Sequence, residues 1–367
     1  MDNSSIKLPV YVKLSQILLG IVALFFILYI GQGIIVPLIF SVIISILLNP
    51  FVNYLTNRKM NRVLAIFITL LIALTIIFSL GYFIGSQINM FSESFGQFKE
   101  RFTVLFNDTI NWSSQTFNIS KVKIRLWIEN MKGEGLNNGT AVIGQTIGTI
   151  GDILVIVFLV PVYIFMILLY KSLILDFISQ LFKRDKHPMV AEVLVETKSL
   201  IQNYLIGLMI EAFIVASLNS IGMLIIGIEY AILLGIIGAL LNIIPYLGGL
   251  IAAVLSMTIA FATQSPGAAL WVLALFIFVQ FIDNNFIVPR IVASKVKINA
   301  LVSIIVVLIG GALWGISGMF LSIPVTAIIK VVFDRITPLK PFGFLLGDNQ
   351  PDIGKLNLKF KIPKSKK

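Results

Sequence analysis

Apolar stretches recur along almost the whole chain, at roughly residues 14–30, 34–48, 63–84, 150–169, 204–228, 231–262, 268–282 and 300–333. Most have the length that an α-helix needs to cross a hydrocarbon layer, about 20 residues. The first two are parted only by Gly31, Gln32 and Gly33, which predicts a helical hairpin. The pattern as a whole predicts an all-α, polytopic integral membrane protein with about eight hydrophobic segments, some broken or re-entrant, plus an external helical insertion. The expected order is an N-terminal hairpin and third span (1–85), the insertion (86–140), a fourth span (141–169), internal helices (170–203), a C-terminal membrane core (204–333) and a basic tail (334–367).

Two segments are interrupted near their middles. Residues 231–262 are broken at Asn242 to Gly249, through Pro245, Gly248 and Gly249, and residues 300–333 at Gly310, Gly311, Gly315 and Gly318. Each half is short for a span, and Gly/Pro-interrupted pairs of this kind surround the substrate site in transporters with discontinuous helices. Ordinary hairpins of short tilted spans, with glycine at turns and close helix contacts, are the other reading. No internal sequence repeat relates the two halves.

The polar stretches carry helical patterns of their own. In the insertion Ile88, Phe91, Phe95, Phe98, Phe102 and Leu105 step by three and four residues and share one helix face, suited to packing on a neighbour. Ile124, Trp127, Ile128 and Met131 predict a second short amphipathic helix. Sequons at Asn107, Asn111, Asn118 and Asn138 carry no weight, because short polar loops produce them by chance. Ile174, Phe177, Ile178 and Leu181 mark another amphipathic helix, and after His187-Pro188 a further one is expected to run on into the span at Tyr204.

Composition agrees with a lipid solvent: 58% of the 367 residues are hydrophobic and 12% charged, against about 25% charged in soluble domains. The formal net charge of +11 comes from Lys and Arg gathered beside apolar segments, which argues against nucleic acid as a partner. Arg58, Lys59 and Arg62, then Lys171, Lys183, Arg184, Lys186 and Lys198, then Arg290, Lys295 and Lys297, predict cytoplasmic loops, with both termini on that side of a bacterial cytoplasmic membrane. The first apolar run lacks a small-residue cleavage pattern and is expected to stay as a span. Lysines between Lys355 and Lys367 suit attraction to anionic lipid.

Candidate chemistry is narrow. There is one histidine, His187, and no cysteine or Walker loop, which argues against an enzyme, a nucleotide-driven pump, a resident metal or a cofactor. The polar groups at membrane depth are Asp152, Glu211, Asn219, Asn242, Gln280, Asp283, Asn284 and Asn285. Ionisable groups there are costly and face a cavity or a partner. Glu211 shares a helix face with Gly207 and Gly222, a close-packed one, where a carboxyl can carry a proton, bind a cation, or sit neutral or paired with Lys198 or Arg290. Asp283, Asn284 and Asn285 end a span beside Pro289 and Arg290, where their oxygens suit a cation, a hydroxylated solute or a helix cap.

Three stretches resemble the autoinducer-2 exporter family of bacterial transporters: Ile244-Pro245-Tyr246-Leu247-Gly248-Gly249, Gln280 through Ile291, and Gly315-Ile316-Ser317-Gly318-Met319-Phe320-Leu321-Ser322-Ile323-Pro324. Tyr204-Leu205-Ile206-Gly207 is a weaker fourth, and the N-terminal half matches in layout. Where the family often has Gly-Pro after the Ile-Pro-Tyr stretch, this chain has Gly248-Gly249. The resemblance implies a membrane permease and a homo-oligomer, with some relatives associated with export of a quorum-sensing furanone and others with sodium/proton exchange. The leading expectation is a secondary transporter exporting a small polar solute through a site built from residues 242–249, 280–290 and 310–318. A cation/proton antiporter and a non-transporting scaffold are the alternatives.

Overall fold

The computed structural model describes residues 9–117, 120, 122, 157–244, 248–293 and 297–348. Asp152, the second insertion helix, the sequons at Asn118 and Asn138, Pro245 and the lysine-rich tail lie outside the described residues, as do the side chains of the Phe stripe. Every element named below is a helix, as the apolar periodicity predicts.

Helices α1 (Val10–Ile30) and α2 (Gln32–Asn57) meet at Gly31, the expected hairpin joint. Helix α3 (Arg62–Phe117) has 56 residues and runs about 84 Å at 1.5 Å per residue, far more than a bilayer's thickness. The amphipathic helix expected beyond the third span is therefore a direct continuation of that span. Helices α4 (Val157–Leu169) and α5 (Lys171–Gln180) meet at a 66° bend. Helix α6 (His187–Ile226) spans 40 residues, opened by Pro188 and closed by Gly227 in a left-handed conformation, so the polar helix after His187 does run on into the membrane segment.

Both broken segments double back. Helices α7 (Ala231–Asn242) and α8 (Gly248–Thr263) lie against each other, with the Gly248 backbone on the Leu241 carbonyl. At 12 residues α7 reaches about 18 Å, too short to cross a bilayer alone. Helix α10 (Ala300–Arg335) reverses at Trp314 and Gly315, where Gly315 takes φ 61° and ψ −141°. Its arms then touch backbone to backbone, because a Cβ on Gly318 would overlap the Gly310 carbonyl. Uninterrupted helix would hold those two glycines about 12 Å apart.

Helix α9 (Pro266–Ile282) is capped by Ser265 and passes without a stop into a π-helical segment, Asp283–Ala293. Asp283 thus marks a change of winding inside one long element and not the end of a span, which corrects the sequence reading. Pro289, lacking an N–H, sits in the widened turns. Helix α11 (Lys340–Leu346) completes the order.

Helix α6 is the hub. One portion buries Met223 with Leu234, Ala252, Ala260 and Val272 of α7, α8 and α9. The portion nearer its start buries Ile201, Leu205 and Leu208 with Val36 and Ile43 of α2 and Val307 and Leu321 of α10. A separate cluster joins α2, α3 and α4 through Val52, Ile66 and Ile164. The remaining apolar surface faces outward: Leu19 is 69% exposed, Phe213 74% and Ile225 81%. Large outward apolar faces on helices of this length require a hydrocarbon surround, and among the described residues six helices are long and apolar enough to span one.

The backbone contact within α10 gives a direct expectation. Gly318→Ala should lower stability by about 1–3 kcal/mol in thermal unfolding of the detergent-solubilised protein, since the added methyl meets backbone. Gly20→Ala, where nothing lies within 4 Å, should leave it unchanged or raise it.

Candidate functional site

The C-terminal end of α7, the start of α8 and the junction of α9 with its π-helical extension converge on the middle of α6. Short helices place polar residues here for a simple reason: α7 ends in Asn242, and the break that follows frees backbone groups that need polar company. Asn242 Nδ2 donates to Asp283 Oδ2 at 2.8 Å and reaches Glu211 Oε1 at 3.5 Å. One amide therefore lies between two carboxyls carried by different helices. Glu211 is 7% exposed and Asp283 2%. Among the described residues neither forms an ion pair, so the pairing of Glu211 with Lys198 or Arg290 gives way to this amide contact.

Asn219, two turns beyond Glu211 in α6, is buried beside this group. Its Oδ1 and Oδ1 of Asp283 have no hydrogen-bond partner. Both residues line a space of about 10 Å³, shared with Asn242, Gln280, Gly238 and Phe276, which is room for one water or a bare ion. Gly249 permits the crowding, since a Cβ there would strike Gln280 Oε1 and stand 3.1 Å from Asn242 Oδ1. The result is a small pocket rich in oxygen acceptors, with no basic side chain among the described residues that line it, the donor set that suits a proton or a hard monovalent cation.

A second opening lies where α6 begins. Glu192, Glu196, Ser199 and Asn203 face Lys330 and Asp334 of α10 across a cleft of about 770 Å³. Arg335 bridges its two sides, donating through Nη1 to Glu192 at 2.7 Å and through Nη2 to Glu196 at 2.9 Å. Lys330 pairs with Asp334 along the same arm.

The structure brings together Glu211, Asn242, Gly249, Gln280 and Asp283, and Gln280 links on to Asn284 at 3.3 Å. Gly248 serves the α7–α8 contact beside them. Asn285 turns away to the Phe281 carbonyl at 2.8 Å, and Arg290 stands over the Phe286 ring. Pro289 is exposed on the π-helical segment. Gly310, Gly311, Gly315 and Gly318 build the α10 turn, whose polar contacts lie elsewhere: Trp314 Nε1 donates to the Leu28 carbonyl at 2.9 Å and Ser322 to Gly318. Ile243 at the α7–α8 break and Met319 beyond that turn both pack against the apolar cluster that α2, α6 and α10 share. Sequence reasoning left Asn219 out of the site although it flagged the residue as polar at depth. Its spacing of eight from Glu211 along one helix was the available signal.

The model of the family described as "AI-2E family transporter" matches residues 18–337. "Putative transport protein YueF" of Bacillus subtilis (strain 168) is 34% identical over 136 residues, 37% of this chain and 37% of that protein. "Putative permease PerM" of Escherichia coli (strain K12) is 27% identical over 208 residues, 56% and 59% of the two chains. These alignments therefore span between about a third and three fifths of the relatives' lengths.

Asn242 is the shared partner of both carboxyls, so Asn242→Ala should destabilise the solubilised protein by about 1–3 kcal/mol. In a double-mutant cycle with Asp283→Asn, thermal unfolding should show coupling of at least about 0.5 kcal/mol. Strict additivity would separate the two residues.

Proposed function

We propose, from the premise that this chain belongs to the AI-2E family of transporters, that it is a secondary transporter exporting a small polar solute against inward movement of a proton or monovalent cation. The ion is held at Glu211, Asn242 and Asp283, and the solute is collected in the cleft between α6 and α10. The observation that carries this reading is the amide of Asn242 set between two buried carboxyls that form no ion pair among the described residues. Ionisable groups at membrane depth are costly, and carboxyls set together there mark proton and ion pathways.

The division of labour follows from size. A space of about 10 Å³ beside Asp283 admits no organic molecule. The cleft of about 770 Å³ does, and its mixed acidic and basic lining suits a hydroxylated or zwitterionic solute. A furanone of the quorum-sensing type is one solute of that class. Lys and Arg gathered at one end of the bundle support a cytoplasmic cleft and cytoplasmic termini, with α7–α8 entering from outside.

Movement is expected at the places where helices are already broken. Release of Arg335 from Glu192 and Glu196 frees the start of α6 from α10. Because α6 is one continuous helix, tilting its start displaces Glu211 relative to Asn242. Ion occupancy and cleft opening then depend on the same element.

Flux in proteoliposomes under imposed proton and sodium gradients tests this, with and without a furanone solute. Glu211→Gln and Asp283→Asn should each reduce gradient-driven solute flux at least about tenfold, the loss of one charge-assisted contact. Cation flux that needs no solute would make the protein a cation/proton antiporter. Solute flux untouched by both substitutions would reduce the carboxyls to structure, and absence of any flux would favour a scaffold.

A further inference from the structure

A second unbalanced polar group lies far from this centre, at the bend between α4 and α5. Helix α5 has no buried residue; Leu173 and Phe177 are 64% and 61% exposed. An amphipathic helix turned 66° from its neighbour, with its apolar face uncovered, lies along the headgroup boundary of a bilayer. Lys171 is its first residue.

Lys171 Nζ donates to Asn49 Oδ1 at 3.1 Å, and Arg62 Nη2 donates to the Leu168 carbonyl at 2.8 Å, so both cations sit at the end of α4. Gln202 Nε2 donates to the Ile46 carbonyl at 2.7 Å, fixing α6 against α2. Lys198 lies one turn before Gln202, and Asn49 nearly one turn after Ile46. Among the described residues none of Arg62, Lys171 and Lys198 makes an ion pair. Burial first, then the charges of Lys198 and Arg62, hold the Lys171 ammonium below the usual lysine range.

Asn49 supplies the independent observation. It is 5% exposed, and its Nδ2 donor has no partner. Its orientation is set, because the oxygen already accepts from Lys171. Attraction of cations to the carbonyl end of α4 and snorkelling of their side chains explain the positive charge but leave this donor unmet. A donor beside three cations suits an acceptor that carries negative charge.

We propose that Arg62, Lys171, Lys198 and the Asn49 amide form a site for the phosphate of an anionic phospholipid headgroup. A phosphate oxygen accepts from Asn49 Nδ2 while the surrounding cations attract its negative charge. The lipid then braces α2, α3, α4 and α6 at one point.

Thermal unfolding of the purified, delipidated full chain in detergent tests the site, titrating short-chain phosphatidylglycerol, phosphatidylcholine and inorganic phosphate. Phosphatidylglycerol should raise the Tm saturably, phosphatidylcholine should not, and Lys171→Gln should weaken the apparent affinity about tenfold. Lys198→Gln, at an exposed position that tolerates the change, should weaken it in the same direction, while Lys183→Gln should have no effect. Equal stabilisation by phosphatidylcholine, or wild-type affinity in the Lys171 and Lys198 variants, would overturn the site. Saturable stabilisation by inorganic phosphate at matching concentration would assign it to a soluble phosphate and overturn the lipid.

Discussion

In a hydrocarbon surround, an unpaired backbone donor or acceptor costs several kcal/mol, so a helix can stop inside a membrane only where protein covers the break. That constraint orders this molecule. The α7–α8 break is covered by α6, by the α9 junction and by the side chains of Asn242 and Gln280. The α10 turn is covered by its own opposite arm and by Trp314 reaching to α1. Once helices must end in mid-membrane, the polar groups that accompany their ends become available for chemistry.

The two breaks meet that constraint differently. Around α10 the answer is steric: Gly310 and Gly318 let two backbones touch, and Ser322 returns its hydroxyl to the local carbonyls. Around α7–α8 the answer is polar, and it overshoots. Asp283 Oδ1 and Asn219 Oδ1 are left over after the Asn242 contacts are made. Surplus acceptors buried beside a space for one small ion are costly for stability, and that cost is what the proposed ion site would explain.

Helix α6 connects these arrangements to the surface. Its start carries Glu192 and Glu196 to Arg335, its middle carries Glu211, and its far portion packs on α7 through α9. A rigid helix of 40 residues transmits a tilt without needing a chain of intermediate contacts. The proposed lipid site lies beside the same helix, close to Lys198, so the bilayer's charge bears on the element that carries Glu211.

The sequence by itself determined the solvent and the class. Long apolar runs, scarce charge and lysines beside the runs admit a helical membrane protein and little else, and the glycine clusters located both breaks. It also named most of the polar centre, because Glu211, Asn242, Gln280 and Asp283 are conspicuous against apolar surroundings. Periodicity is a local property, however, and it reports nothing about which faces meet. Only the tertiary structure decided that Asn242 stands between two carboxyls 72 residues apart in sequence (from 211 to 283), and that the residues 310–318 turn makes its polar contacts elsewhere. It also decided that Asp283 opens a π-helical segment instead of ending a span, because winding depends on how Pro289 and its neighbours pack. The group around Lys171 was invisible for the same reason: Asn49, Arg62, Lys171 and Lys198 are ordinary interfacial residues until folding leaves one donor unmet among them.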